Sequence, residues 1–76
     1  MGTMRILDST GDTVVQWSEL DDRAVLEASR AFDAQRKLRR MAFARLKGAA
    51  PTESVKISSF DPSAEEIIFV RPIVGG

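Results

Sequence analysis

The spacing of apolar residues predicts an α+β domain, with one helix packed on one face of a mixed sheet. The elements run strand, strand, helix, strand, strand, strand. Three observations lead to this. One stretch, about residues 21–40, carries apolar side chains at steps of three and four. Short β-rich runs stand on both sides of it. The chain has 76 residues, enough for one such helix and sheet, so a single domain over 1–76 is expected.

The first strand is read at Met4-Arg5-Ile6-Leu7-Asp8-Ser9 and the second at Thr13-Val14-Val15-Gln16-Trp17. Ser9-Thr10-Gly11-Asp12 between them is a turn cluster, and Gly11 takes positive φ without steric cost, which predicts a tight hairpin. Met1-Gly2-Thr3 reads as a possible cloning scar ahead of Met4. The helix is predicted over 21–40, with Val25, Ala28, Phe32, Gln35 and Leu38 on its inner face and Ala24 and Ala31 widening it. Ser18-Glu19-Leu20-Asp21 resembles a capping box, with Ser18 or Asp21 accepting from the first turn. Asp21 and Asp22 at its start and Arg36, Lys37, Arg39 and Arg40 at its end follow the helix dipole.

Period two returns at Met41-Ala42-Phe43-Ala44-Arg45-Leu46, the third strand. A loop at 48–52 follows, and the fourth strand is read at 54–60, with Val55 and Ile57 on one face and Lys56 on the other. Asp61-Pro62-Ser63 is a turn or a short helical start. The fifth strand, Glu66-Ile67-Ile68-Phe69-Val70, has four consecutive apolar residues, which suggests burial on both sides or a central place in the sheet. Pro72 keeps Arg71 extended, so 71–76 reads as an extended C-terminal tail.

Composition narrows the chemistry. Acidic and basic residues balance, 11 against 11, so there is no global field to attract nucleic acid or an anionic membrane, and neither is expected as a partner. The chain has no Cys and no His, which removes the thiol nucleophile, the thiolate metal site and the usual general base. No catalytic residue, metal site or cofactor is therefore expected, and a stand-alone enzyme is disfavoured. No signal-peptide pattern and no apolar run of about 20 residues occurs, so the compartment is read as cytoplasmic. For Asp21, Asp22 and Asp33, capping and solvation account for the residues better than a metal does. Phe32, Phe43, Phe60 and Phe69 read most simply as core, although Phe43 or Phe60 could lie on an exposed sheet face. Trp17 reads as core or half-buried.

The last strand is the most apolar. Set in the sheet centre beside the first, it leaves the hairpin on one side and the third and fourth strands on the other. That arrangement is a β-grasp. With it, the chain resembles ubiquitin and the small sulfur-carrier proteins. Residues 61–76, Asp-Pro-Ser-Ala-Glu-Glu-Ile-Ile-Phe-Val-Arg-Pro-Ile-Val-Gly-Gly, are similar to the tail of the molybdopterin-synthase small subunit: an acidic turn, an apolar strand, a Pro-containing extension and a diglycine.

The resemblance implies a small protein modifier or sulfur carrier with no catalytic residue of its own. An ATP-dependent adenylating enzyme would activate the Gly76 carboxylate, for sulfur transfer to a partner or for conjugation to lysines of a target protein. Gly75 and Gly76 lack Cβ atoms and suit a narrow active site. Pro72 would limit the entropy lost on insertion. Val70, Arg71, Pro72, Ile73 and Val74 would form the partner-binding segment, with Val70 and Ile73 as apolar contacts and Arg71 as a specificity charge. In a modifier system Lys37, Lys47 and Lys56 could themselves accept a conjugate. The alternative is a non-catalytic structural, assembly or adaptor module, for example of a phage or mobile element, with the same fold.

Overall fold

The structure is a computed structural model, and it describes residues 1–8, 11–50 and 52–70. Its elements are β1 (Gly2–Asp8), β2 (Gly11–Trp17), α1 (Asp22–Lys37), β3 (Met41–Leu46), β4 (Ser54–Ile57) and β5 (Ala64–Val70). The strands form one sheet in the order β2-β1-β5-β3-β4. β1 and β5 are parallel; every other neighbouring pair is antiparallel. Among the described residues, this is a small α+β fold with a mixed five-stranded sheet and a single helix.

The hairpin is close to expectation. Gly11 opens β2 with φ +129°, a backbone conformation that a residue with a Cβ adopts only under strain. β1 starts two residues earlier than the apolar pattern suggests, because Gly2 pairs with Trp17 and Thr3 pairs with both Gln16 and Glu66. The residues read as a possible cloning scar thus include two positions of the sheet.

The helix starts where its cap dictates. Asp21 is the N-cap, and its Oδ1 accepts from the backbone N–H groups of Arg23 at 3.1 Å and Ala24 at 3.2 Å. Ser18 belongs to the turn before it, its carbonyl accepting from the Asp21 N–H at 3.0 Å and its hydroxyl oxygen from the Leu20 N–H at 3.3 Å. Residues 18–21 are thus a turn leading to a single aspartate cap rather than a reciprocal box. α1 ends at Lys37, three residues short of the expected end. Arg39 turns left-handed with φ +61°, its N–H bonding the Arg36 carbonyl at 2.9 Å while the Arg40 N–H bonds that of Gln35 at 3.3 Å. These two bonds form a Schellman stop, which uses glycine far more often than arginine. The Arg36 guanidinium also donates to the Arg40 carbonyl at 3.1 Å, and that of Arg40 donates to Gln35 Oε1, so two of the four basic residues close the helix end.

β4 ends at Ile57, not at Phe60; Ser58 and Ser59 bend the chain and deliver Phe60 to the core side. β5 begins at Ala64, two residues before its predicted start, where a register shift between Arg45 and Leu46 lets Ala64 pair with Leu46. Just before it, the Asp61 carboxylate accepts from the Ser63 N–H at 2.9 Å and the Ser63 hydroxyl at 2.6 Å, a side-chain-closed turn.

The core lies between α1 and one sheet face. It consists of Met4, Ile6, Trp17, Ala28, Phe32, Ala42, Ala44, Ala64, Ile67 and Phe69. Phe32 on the helix meets Phe69 on the sheet with ring centroids 5.0 Å apart, and Phe60 bridges Phe32 at 5.9 Å to Trp17 at 5.1 Å. Burying each large apolar side chain contributes about 1.5–3 kcal/mol. The Trp17 indole N–H donates to the Pro62 carbonyl at 3.0 Å, so the one polar atom of this ring has a partner and the hairpin is tied to the β4–β5 loop.

Candidate functional site

Side chains alternate across a strand, so a sheet with a helix on one face leaves the other to be explained. The register places that open face residue by residue. One transverse row crosses all five strands as Val14, Arg5, Ile68, Phe43 and Lys56. The next row toward the start of β5 is polar: Gln16, Thr3, Glu66, Arg45 and Ser54. In the other direction Asp12 pairs with Leu7, and Met41 pairs with Val70. Continuing the β1–β5 register by one residue sets Leu7 beside Val70.

The open face is thus graded. It is polar near the start of β5 and apolar near its end, where Leu7, Met41, Phe43, Ile68 and Val70 gather. Leu7 is 41% exposed and Val14 50%, while Phe43, Ile68, Met41 and Val70 are half-buried. Arg5 Nε lies 3.5 Å from Glu66 Oε2, and Arg45 Nη1 donates to Glu65 Oε2 at 3.0 Å. Both pairs are solvated and hold side chains in place more than they add stability. What this surface offers chemically is apolar contact bordered by charged side chains.

Of the residues expected to contact a partner, Val70 is described: it is the last residue of β5 and lies on this face. Arg71, Pro72, Ile73, Val74, Gly75 and Gly76 lie outside the described residues, as does the proposed extended tail. Phe43 is on the open face; Phe60 is not, since it packs against Trp17 and Phe32 on the core side. Leu7, Val14, Met41 and Ile68 were not singled out. For Ile68 the signal is the run 67–70, whose four apolar residues suggest burial on both sides or a central place in the sheet, and β5 is the central strand. In the sheet, Ile67 and Phe69 are buried beneath the helix while Ile68 and Val70 line the open face.

No family model, curated protein or solved structure matches the chain. Among the described residues, no helix is long and apolar enough to cross a membrane, and no group of three or more acidic residues is placed to hold a metal ion.

Proposed function

We infer that this protein is a ubiquitin-like β-grasp carrier or modifier, activated at the carboxylate of Gly76 by an ATP-dependent adenylating enzyme. One observation carries the reading: the first and last strands are parallel neighbours in the middle of the sheet, and four residues separate Val70, the last of β5, from the diglycine Gly75-Gly76. Val70, the last described residue, lies at the apolar end of the open face. In this scheme the carboxylate attacks the α-phosphate of ATP and releases pyrophosphate. Hydrosulfide then attacks the acyl carbon and expels AMP to leave a thiocarboxylate, or an enzyme thiol expels AMP to form a thioester and passes the acyl group to an amine. The chain is carrier and substrate; the partner supplies the catalytic groups. Gly75 and Gly76 are the activated end, with Val70, Arg71, Pro72, Ile73 and Val74 as the segment the enzyme holds.

The test is intact mass of the protein from its native host, together with activation by the cognate enzyme. The expected results are a chain ending at Gly76, as synthesised or after proteolysis, with one carboxylate oxygen replaced by sulfur or the chain joined to a target. Deleting Gly75 and Gly76 should leave the fold unchanged and abolish adenylate formation. Normal activation of the truncated chain overturns the reading. The graded open face supports a second reading, a non-catalytic assembly or adaptor module; a persistent non-covalent complex that survives tail deletion favours it.

A further inference from the structure

The two edges of the sheet differ. β4 is four residues long and carries Lys56. Shortness and an edge lysine are devices that keep a strand from pairing with another chain. β2 has neither. It runs seven residues, Gly-Asp-Thr-Val-Val-Gln-Trp, without lysine, arginine or proline, and Gly11, Asp12, Thr13 and Val14 are all exposed. In an antiparallel edge strand alternate residues turn N–H and C=O away from their neighbour. Among the described residues, no backbone hydrogen bond made outside the strands and helix involves Gly11–Trp17. The outer rim of β2 is therefore a row of backbone donors and acceptors open to a further strand.

We propose that β2 pairs antiparallel with β2 of a second copy, about a two-fold axis at Val14, joining the two sheets into one. The strand is self-complementary about that point. Val14 is the midpoint of Gly11–Trp17, so this axis pairs the whole strand: Gly11 with Trp17, Asp12 with Gln16, Thr13 with Val15, and Val14 with its own copy. Moving the axis to Thr13 or Val15 leaves two residues of each strand unpaired. Asp12 is the single charge on β2, and the axis sets it opposite the Gln16 amide, which donates to a carboxylate, so no like charges face each other. An axis normal to the sheet keeps both open faces on the same side, so Val14, 50% exposed, meets an identical apolar side chain. One seven-residue strand pair makes a small interface, so the dimer is weak and concentration-dependent. The proposal is independent of the chemistry of the tail.

Sedimentation equilibrium of the full chain, from low micromolar to millimolar, tests it. The wild type should show a reversible monomer–dimer equilibrium. Val14→Lys and Val14→Glu should each be monomeric, because each sets like charges against one another across the axis, and an equimolar mixture of the two should dimerise again. Gln16→Lys should tighten the wild-type dimer several-fold by facing Asp12, and Gln16→Asp should weaken it by a similar factor. Val55→Lys on β4 should change nothing. Far-UV circular dichroism checks each fold; if a Val14 variant does not fold, the opposite shifts of the Gln16 variants decide. A wild type monomeric throughout overturns the proposal, as does a dimer indifferent to these substitutions. Capture of an unrelated β-strand peptide at β2 by a monomeric chain overturns it too and assigns the edge to a different partner.

Discussion

A Cβ added to Gly2 would lie 2.1 Å from Cζ2 and 2.2 Å from Cε2 of Trp17, where ordinary contact begins at 3.4 Å. Gly2→Ala therefore requires the indole and the β1 backbone to separate by about 1.3 Å in a core packed like an organic crystal. The indole is 2% exposed, meets Phe60 edge-on at 5.1 Å and is held by its 3.0 Å bond to the Pro62 carbonyl. Overpacking of this kind costs about 1–3 kcal/mol. If the ring retreats far enough to break the bond to Pro62, roughly another 1 kcal/mol is lost. A domain of this size has a total stability of about 4–11 kcal/mol at the usual per-residue range, so the substitution removes a large share of it. The melting temperature should fall by about 4–24 °C from the overpacking alone, at 4–8 °C per kcal/mol for a small domain.

Trp17 is the only tryptophan, so its emission reports on this site alone. Thermal unfolding followed by circular dichroism should show the loss, and native-state emission should shift to the red as the ring gains water. Gly11→Ala is the matched control. Nothing lies within 4 Å of its added Cβ, and φ there is +129°, so it should cost about 1 kcal/mol through backbone strain and leave the emission unchanged. A Gly2→Ala protein that melts within a degree or two of the wild type, with unshifted emission, would refute the claim that Gly2 is a platform for Trp17.

Other substitutions probe the helix and the core. Arg39→Gly relieves a left-handed arginine at a Schellman stop and should stabilise the fold by about 0.5–1 kcal/mol, read as a raised urea midpoint with unchanged slope. Asp21→Ala removes the acceptor for two N–H groups and should cost about 1 kcal/mol in the same assay. Phe32→Ala empties the ring position between Phe60 and Phe69 and should cost about 3–5 kcal/mol, the largest loss of this set, read as a lowered urea midpoint. Phe43→Ser, on the open face, should change stability by far less than Phe32→Ala, and equal losses would show that the open face is not open.

The run from Val25 to Leu38 shows how far local pattern reaches and where it stops. Steps of three and four identify Ala28 and Phe32 as inward residues, and both are buried. The same pattern carries the helix three residues too far, because Leu38, Arg39 and Arg40 are good helix formers and no glycine marks the stop. What ends it is a pair of backbone bonds made possible by one left-handed residue. The open face shows the same limit. Four consecutive apolar residues at 67–70 identify a central strand, but the face each occupies follows from its pairing with β1 and β3, and a slip of one residue reverses every assignment.

From the amino-acid order alone come the number and type of elements, the glycine hairpin, the inward helix residues Ala28 and Phe32 and the lack of thiol and imidazole side chains. Each depends on residue type or on spacing over a few positions, which local physics reads directly. The last strand's place beside the first follows from its apolar run, but two features arise only when distant segments pack: the separation of Phe43 from Phe60, and the close seat of Trp17 on Gly2. Gly2 and Trp17 lie on different strands, and Trp17 reaches Pro62 across 45 residues of chain. Such contacts are set by the volume the side chains must share in the core, a quantity that no short stretch of sequence contains.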